Sequence, residues 1–261
     1  MNLARMICLL VGLVLIRIVF IQQAHAQSVS VAVASNFTHP MKALVKEFEK
    51  QSGIQVRVSY GSSGKFYAQI KHGAPFQVFL SADQAKPAAL EKEGWGISGS
   101  RFTYATGRLA LWSSKDSFID ENLSPLKAGQ FNKLALANPK LAPYGIAAVQ
   151  VLESLNLTQS SQHKWVKGEN IAQTYQFVST GNSDLGFVAL SQIINRDKGK
   201  NNKDIKHGSA WVIPNNLHQP IHQDAILLKS GKDNQAAQQL MRFIKNKEAK
   251  TIISSYGYET L

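Results

Sequence analysis

Apolar residues recur along the chain with a period that is about 2 residues in some segments and about 3.6 residues in others. Apolar residues alternate with small or polar ones over residues 29–33, which predicts a short strand. Residues 41–48 place apolar side chains at i, i+3, i+4 and i+7, which predicts an amphipathic helix that ends at Gly53. Residues 54–60 alternate again, and a further helical stretch follows a turn rich in glycine and serine. The chain therefore opens in the order strand, helix, strand, helix.

The same alternation continues to the C-terminus. Further strands are predicted at 78–80, 109–112, 134–137, 185–190, 211–213 and 225–228. Further helices are predicted at 82–93, 145–155 and 171–178, with two more near the C-terminus, around Leu240 and at 248–256. Strands that alternate with helices indicate an α/β protein with mostly parallel sheets.

The first 26 residues have the layout of a secretory signal peptide. After Arg5, residues 6–16 run without a polar side chain, and Ala24-His25-Ala26 has the form that signal peptidase cleaves. The rival interpretation is an uncleaved membrane anchor. Arg17 divides the apolar stretch and leaves it short of the ~20 residues that a span needs. We therefore expect cleavage after residue 26 and a location in the periplasm.

Composition and charge narrow the classes of function. The chain has 261 residues and a net charge of +12, and the predicted signal removes 26 residues and two arginines, which leaves 261 − 26 = 235 residues and +12 − 2 = +10. No basic stripe with interleaved aromatic residues is present, so we expect no nucleic-acid partner. The one cysteine, Cys8, lies in the signal, which excludes disulfides, thiolate metal sites and a cysteine nucleophile from the mature chain.

Small polar residues stand where predicted strands end and helices begin. Ser35 and Asn36 follow the first strand, residues 62–64 (Ser-Ser-Gly) follow the second, and residues 143–145 (Pro-Tyr-Gly) open a later helix. Unpaired backbone N–H groups and a partial positive charge at such helix starts bind anions without Lys or Arg. The alternative is that these residues only cap their helices, which is their commonest role.

Two other patterns suggest different chemistry. Ser62-Ser63-Gly64-Lys65 matches the S-x-x-K motif of serine acyl enzymes, with Ser62 as nucleophile, but the supporting K-T-G triplet is absent. His207, His218 and His222 suggest a metal site, but Pro220 prevents the last two from sharing a regular helical turn. Residues 195–207 are polar, basic and rich in turn formers, which favours a solvated surface loop.

Six segments together resemble the periplasmic molybdate-binding proteins of ABC transporters, the ModA family. In chain order they are VAVASNF (31–37), YGSSGKFYAQI (60–70), GAPFQVFLSADQ (73–84), NPKLAPYG (138–145), NSDLGFVALS (182–191) and SYGY (255–258). They cover essentially the whole mature chain, and the third segment is the most specific.

The resemblance implies a two-lobed periplasmic-binding-protein fold of type II with the ligand in a cleft between the lobes. Residues 1–26 would be the signal, residues 27–106 with 223–261 the first lobe, and residues 107–222 the second lobe. The chain would cross between the lobes near 105–109 and 219–225.

The resemblance also implies a ligand-binding set of Ser35, Asn36, Ser63, Tyr144 and Ile171. Some family members add a tyrosine hydroxyl at the position of Ala189, so here Tyr144 or a water compensates, or fewer hydrogen bonds are made.

The implied ligand is molybdate or tungstate, with sulfate or phosphate as alternatives. The implied partner is an inner-membrane ABC permease, and we expect a monomer without a cofactor, a catalytic residue or a direct metal-cation ligand. The rival from a different class is the secreted acyl enzyme that uses Ser62 and Lys65.

Overall fold

The computed structural model describes residues 28–195 and 205–260. The predicted signal at 1–26 lies outside these residues, as do residues 196–204 of the predicted surface loop. Within the described ranges, no helix combines the length and the apolar character that a bilayer crossing requires.

The first of two sheets has five strands in the order β2-β1-β3-β10-β4. The strands are β1 (Ser28–Ala34), β2 (Gln55–Gly61), β3 (Val78–Leu80), β4 (Phe102–Gly107) and β10 (Ile221–Leu227). The alternating valines of β1 are fully buried in the core of this sheet, as the period of two predicts. We call this sheet and the helices packed on it the first lobe.

The second sheet has five strands in the order β7-β6-β8-β5-β9 and forms the second lobe with its helices. Its strands are β5 (Leu109–Ser113), β6 (Leu134–Ala137), β7 (Trp165–Gly168), β8 (Leu185–Ala189) and β9 (Ser209–Val212). Strands β5, β6 and β8 are buried along their whole length, because helices and loops cover both faces of the sheet.

Each sheet is mixed, which corrects the expectation of mostly parallel sheets. In the first sheet β1 pairs in parallel with β2 and β3, whereas β10 is antiparallel to β3 and β4. In the second sheet β6 pairs in parallel with β7 and β8, whereas β5 is antiparallel to β8 and β9. Strands β5 and β10 enter their sheets from the other lobe, so no helical crossover imposes the parallel direction on them.

The longer helices follow the predicted pattern, whereas the four-residue helices at 124–127, 158–161 and 190–193 were not predicted. The helices are α1 (Thr38–Ser52), α2 (Ser63–Lys71), α3 (Ala85–Lys92), α4 (Ser124–Lys127), α5 (Pro143–Ser154), α6 (Thr158–Ser161), α7 (Ile171–Ser179), α8 (Leu190–Ile193), α9 (Gln235–Lys245) and α10 (Lys247–Ser254). Helix α1 ends at Gly53, whose φ of 69° is the left-handed conformation that a helix C-terminus favours for glycine.

The chain passes between the sheets twice. The first passage is at Arg108, between β4 and β5, and the second lies between β9 and β10. The two C-terminal helices α9 and α10 then pack on the first sheet, in the same core as β1 and α1. As a result, the starts of α2 in the first lobe and of α5 and α7 in the second lobe border the space between the sheets.

Candidate anion-binding site

A small cavity lies between the two lobes. It is lined by the ends of β1 and β2 and by the starts of the helices that follow strands in both lobes. The structure brings all five predicted site residues to this cavity, namely Ser35, Asn36, Ser63, Tyr144 and Ile171. The remaining lining residues are Ala34, Gly61, Ser62, Ala82, Ala142, Pro143 and Asn170.

On the first-lobe side, β1 ends at Ala34 and the chain turns at once into a short 3₁₀ helix, Ser35–Phe37, that leads into α1. Ser35 and Asn36 are buried. The carbonyl of Ser35 accepts a hydrogen bond from Thr38 Oγ1 at 2.8 Å, which fixes the turn. Amides at the start of a helix have no carbonyl acceptor inside that helix, so this turn presents N–H donors at the cavity.

Two buried serines with different roles directly follow the neighbouring strand β2. Ser62 is the N-cap of α2, and its Oγ accepts from the backbone N–H of Lys65 at 3.4 Å. Ser63 Oγ accepts from the backbone N–H of Ala82 at 2.9 Å. A hydroxyl that accepts one hydrogen bond still has its own proton to donate. The hydroxyl proton of Ser63, which lines the cavity, is therefore available to another acceptor.

On the second-lobe side, two helix starts supply backbone donors. Helix α5 begins at Pro143, whose missing N–H costs nothing at a first helical position, and Tyr144 follows it. Helix α7 begins at Ile171, and the side chain of Asn170 caps it by accepting from the amides of Ala172 at 2.9 Å and Gln173 at 3.1 Å. Because the Asn170 side chain accepts from the second and third amides of α7, the first amide, that of Ile171, remains available to another acceptor.

None of the described residues that line the cavity has a charged side chain. Beside it, Lys65 Nζ and Glu169 Oε2 form an ion pair of 2.6 Å between the two lobes, with about half of each side chain exposed. A cavity that is lined by uncharged residues suits an anion that is held by the dipoles of N–H and O–H groups.

The described residues include no group of three or more His, Cys, Asp or Glu that suits a metal ion. Two of the three histidines considered above are instead close to ordinary polar neighbours. His218 Nδ1 lies 2.7 Å from the Gln219 carbonyl, and His222 Nδ1 lies 2.9 Å from Thr106 Oγ1.

The lobes touch directly around the cavity. The amide of Gly64, in α2, donates to the carbonyl of Leu141 in the second lobe at 2.9 Å, and a Cβ on Gly64 would lie 2.9 Å from the same oxygen. On the other side, Ser191 Oγ donates to the carbonyl of Asn36 at 2.9 Å. The two lobes are therefore closed over the cavity.

The side chain of Asn36 makes its contacts behind the cavity wall. Its Nδ2 donates to Gln223 Oε1 and to the Tyr258 hydroxyl, both at 2.9 Å. Its carbonyl accepts from the Tyr258 hydroxyl at 2.8 Å. Asn36 therefore faces the cavity with its backbone, and its side chain belongs to a buried polar cluster that the sequence analysis did not identify.

Residues 29–259 match the model of a family described as bacterial extracellular solute-binding proteins. The chain belongs to this family. The match spans both lobes and includes all ten strands described above, apart from Ser28, the first residue of β1.

Relatives within this family match over nearly the whole chain. The molybdate-binding protein ModA of Azotobacter vinelandii is 52% identical over 235 residues, which are 90% of this chain and 91% of that protein. ModA of Rhodobacter capsulatus is 44% identical over 237 residues, which are 91% of this chain and 90% of that protein. The solved structure of a periplasmic molybdate-binding protein of Azotobacter vinelandii has a TM-score of 0.85 and 40% identity over 89% of this chain and 99% of that one. The predicted resemblance to the ModA family and the predicted two-lobed fold are confirmed.

These relatives are binding proteins, which confirms the expectation that this solute-binding protein is not an enzyme. The geometry around Ser62 agrees with them. An acyl enzyme needs a base within hydrogen-bonding reach of its serine nucleophile. Here the Lys65 ammonium is paired with Glu169, and Ser62 Oγ accepts a hydrogen bond from the Lys65 backbone amide as the cap of its helix.

The departure from the family pattern at Ala189 is not filled by the Tyr144 hydroxyl. Ala189 is fully buried, and its amide donates to Gln192 Oε1 at 2.9 Å. The Tyr144 hydroxyl accepts from Gln223 Nε2 at 3.2 Å and is hydrogen-bonded to Tyr258, so its contacts lie inside the protein. A water or a smaller donor set are the alternatives that remain.

Proposed function

We propose that this chain is a periplasmic receptor that captures molybdate, and tungstate in the same way, and delivers it to an ABC importer. The observation that carries the proposal is a buried, uncharged cavity at which hydroxyl and backbone N–H donors from both lobes converge. The choice of molybdate as the ligand follows from the relatives that match over about nine-tenths of this chain, which are named molybdate-binding proteins.

The donor set fits a tetrahedral dianion without its water shell. The proposed donors are the hydroxyls of Ser35 and Ser63 and the backbone amides of Ser35, Asn36, Ser63, Tyr144 and Ile171. A buried anion is costly unless its oxygens find donors, and each hydrogen bond to a charged group contributes about 1.5–3 kcal/mol. Several such bonds offset the cost of ordering two lobes around one ion. Because the donors are neutral, release breaks no ion pair with the ligand.

The same wall favours molybdate and tungstate over the two alternatives. Donors fixed at helix starts fit an ion of one size, so the smaller sulfate makes fewer or longer hydrogen bonds. Phosphate carries a proton near neutral pH, and the lining residues that the structure describes include no carboxylate to accept it. A function as a receptor for sulfate or phosphate is therefore the second candidate, after molybdate and tungstate.

The proposed receptor keeps the predicted lobes, residues 27–106 with 223–261 and residues 107–222, except that Gly107 and residues 221–222 join the first lobe, because β4 ends at Gly107 and β10 begins at Ile221. A hinge motion about the two passages between the sheets would open and close the cleft. Residues 1–26 would be cleaved as the signal on export to the periplasm. The mature chain would act as a monomer, without a cofactor, and would dock on an inner-membrane permease.

A thermal-shift titration tests this proposal. The mature, ligand-stripped protein is heated with molybdate, tungstate, sulfate or phosphate at equal concentrations. A ligand that binds only the folded state raises the melting temperature, and 100 times Kd adds about 2.7 kcal/mol of stability. A rise with molybdate and tungstate alone is expected. A rise with sulfate or phosphate instead would reassign the ligand, and no rise with any of them would overturn the proposal.

A further inference from the structure

A buried polar cluster behind the cavity joins the two lobes through Tyr144 and Ser191 of the second lobe, and Tyr144 reaches deepest into the first lobe. Tyr144 belongs to the second lobe, but its hydroxyl lies against Gly107, Gln223 and Tyr258 of the first lobe. We call these three first-lobe residues the socket. The proposed ligand set uses the backbone amide of Tyr144 and leaves its hydroxyl without a role.

Gly107 leaves the space that the hydroxyl occupies. A Cβ built on Gly107 would lie 2.1 Å from the Tyr144 hydroxyl oxygen and 2.4 Å from Gln223 Nε2. Both distances are far below van der Waals contact, so any larger residue at the end of β4 would displace the hydroxyl. The backbone of Gly107 itself requires no glycine, because its φ is not in the left-handed range.

First-lobe partners hold the socket in place. Gln223 is fully buried, and its Oε1 accepts from Asn36 Nδ2 and from the Tyr104 hydroxyl, both at 2.9 Å. This leaves Nε2 aimed at the Tyr144 hydroxyl at 3.2 Å. The Tyr258 hydroxyl is anchored in turn by its 2.8 Å bond to the Asn36 carbonyl. Gln223 is therefore oriented by first-lobe contacts, whereas the Tyr258 hydroxyl is held by the first-lobe Asn36 and also lies 3.2 Å from Ser191 Oγ of the second lobe.

Tyr144 is fixed to the second lobe by its own helix. Gly145 follows it, and a Cβ there would lie 2.1 Å from the carbonyl of Ala137, so the first turn of α5 rests directly on the end of β6. Side chain and amide of Tyr144 therefore move with the same rigid turn. When the cleft opens, the amide leaves the ligand and the hydroxyl leaves the socket together.

We infer that Tyr144 is a positioning residue, whose hydroxyl in the socket of Gly107, Gln223 and Tyr258 sets how closely the second-lobe donors approach the oxyanion. The inference rests on the proposed function. Without the socket contacts, the closed form loses two hydrogen bonds, and Gln223 Nε2 keeps no partner in the cluster. The closed form becomes less populated, and the donors no longer meet the ligand at one fixed distance.

Two variants test the inference. Tyr144→Phe removes the hydroxyl and keeps the ring and the amide, and Gly107→Ala blocks the socket and leaves every proposed donor in place. Each is expected to raise the Kd for molybdate about 30-fold, which corresponds to about 2 kcal/mol, because two buried hydrogen bonds of the closed form are lost. Most of the change should appear in the dissociation rate, measured by stopped-flow fluorescence, since closure follows the first encounter. The ratio of molybdate to sulfate affinity should fall as well.

Tyr104→Phe is the matched control. It removes a hydroxyl from the same cluster, but that hydroxyl bonds only to the Ser81 carbonyl at 3.0 Å and to Gln223 Oε1, both within the first lobe. This variant should lower the melting temperature of the ligand-free protein and change the dissociation rate by less than about twofold, since no bond between the lobes is lost and Asn36 Nδ2 still holds Gln223 Oε1.

Three results would overturn the inference. They are a wild-type dissociation rate in Tyr144→Phe, an equal loss in Tyr104→Phe, or an unchanged molybdate to sulfate ratio in both test variants. If Gly107→Ala does not fold, Tyr144→Phe still decides the matter. Failure of the wild-type protein to bind molybdate would instead overturn the proposed function and the inference with it.

Discussion

Replacing Ser63 by alanine tests the assignment of the cavity donors. Ser63 is 1% exposed, and its Oγ already accepts the Ala82 amide at 2.9 Å, which leaves the hydroxyl proton available to another acceptor. Ser63→Ala removes one hydroxyl donor and leaves the backbone of α2 intact. If the acceptor is the bound dianion, the loss is about 1.5–3 kcal/mol, or an increase of about 10- to 150-fold in Kd.

The structure supplies a matched control at the preceding residue. Ser62 is as buried as Ser63, but its Oγ accepts from the Lys65 amide as the helix N-cap. Ser62→Ala is therefore expected to cost about 1 kcal/mol of stability, through the lost cap, and to leave Kd within about threefold. Ser63→Ala also loses stability without ligand, because the buried amide of Ala82 loses its acceptor.

Isothermal titration calorimetry of ligand-stripped protein with molybdate measures both effects on affinity, and thermal melts without ligand measure both effects on stability. We expect the two variants to be separated by affinity and not by stability. Wild-type affinity in Ser63→Ala, or an equal loss in Ser62→Ala, would refute the donor assignment.

The contacts between the lobes yield three further predictions. Gly64→Ala should stabilise the ligand-free protein by up to about 1 kcal/mol, because alanine is a better helix former than glycine. The same variant should weaken molybdate binding, because its Cβ would lie 2.9 Å from the Leu141 carbonyl across the cleft, and tighter binding would contradict this. Lys65→Gln and Glu169→Gln should each speed dissociation by no more than about fivefold, since exposed ion pairs contribute about 0.2–1 kcal/mol, and added salt should reduce the difference from wild type. Burial raises the pKa of Tyr258 to about 12, so this hydroxyl stays protonated below that pH. The molybdate affinity measured by calorimetry should therefore be constant between about pH 7 and 9, and a fall within that window would show that another group titrates in the site.

Most of the fold and the location of the cavity were predictable, because both depend on local patterns. The valines of β1 and the apolar face of α1 have clear periods, and polar residues after successive strands mark the edge where helix starts meet. The strand β7 was missed, because it has only four residues and is partly exposed, so it shows no alternation. The residues of β4 were identified only as part of a crossing between lobes, and Phe102–Gly107 pairs with β10, far along the chain.

The start of α3 shows how side chains adjust a boundary. The sequence predicts a helix from residue 82, but it begins at Ala85. Ser81 Oγ donates to Asp83 Oδ1, and the same carboxylate oxygen accepts from the amide of Lys86. Asp83 therefore stays in the turn and satisfies an amide of the first helical turn, which delays the helix by three residues.

The direction of side chains at the site could not be predicted. Asn36 stands beside Ser35 in the sequence, yet its side chain is held by Gln223 and Tyr258, which are 187 and 222 residues away. The hydroxyl of Tyr144 is directed by the same distant residues. Local periodicity contains no information about such contacts, because they arise only when the C-terminal segment returns to the first lobe.

The central claim is that molybdate is held, without its water shell, by neutral donors from both lobes. Crystals of the mature protein grown with molybdate, and measured at the molybdenum absorption edge, test this claim directly through an anomalous difference map. The account predicts one strong peak in the cavity, with ligand oxygens within hydrogen-bonding distance of the Ser35 and Ser63 hydroxyls and of the Tyr144 and Ile171 amides. A peak elsewhere on the molecule, or an ion in the cavity that is held by a lysine, an arginine or a shell of water, would contradict it.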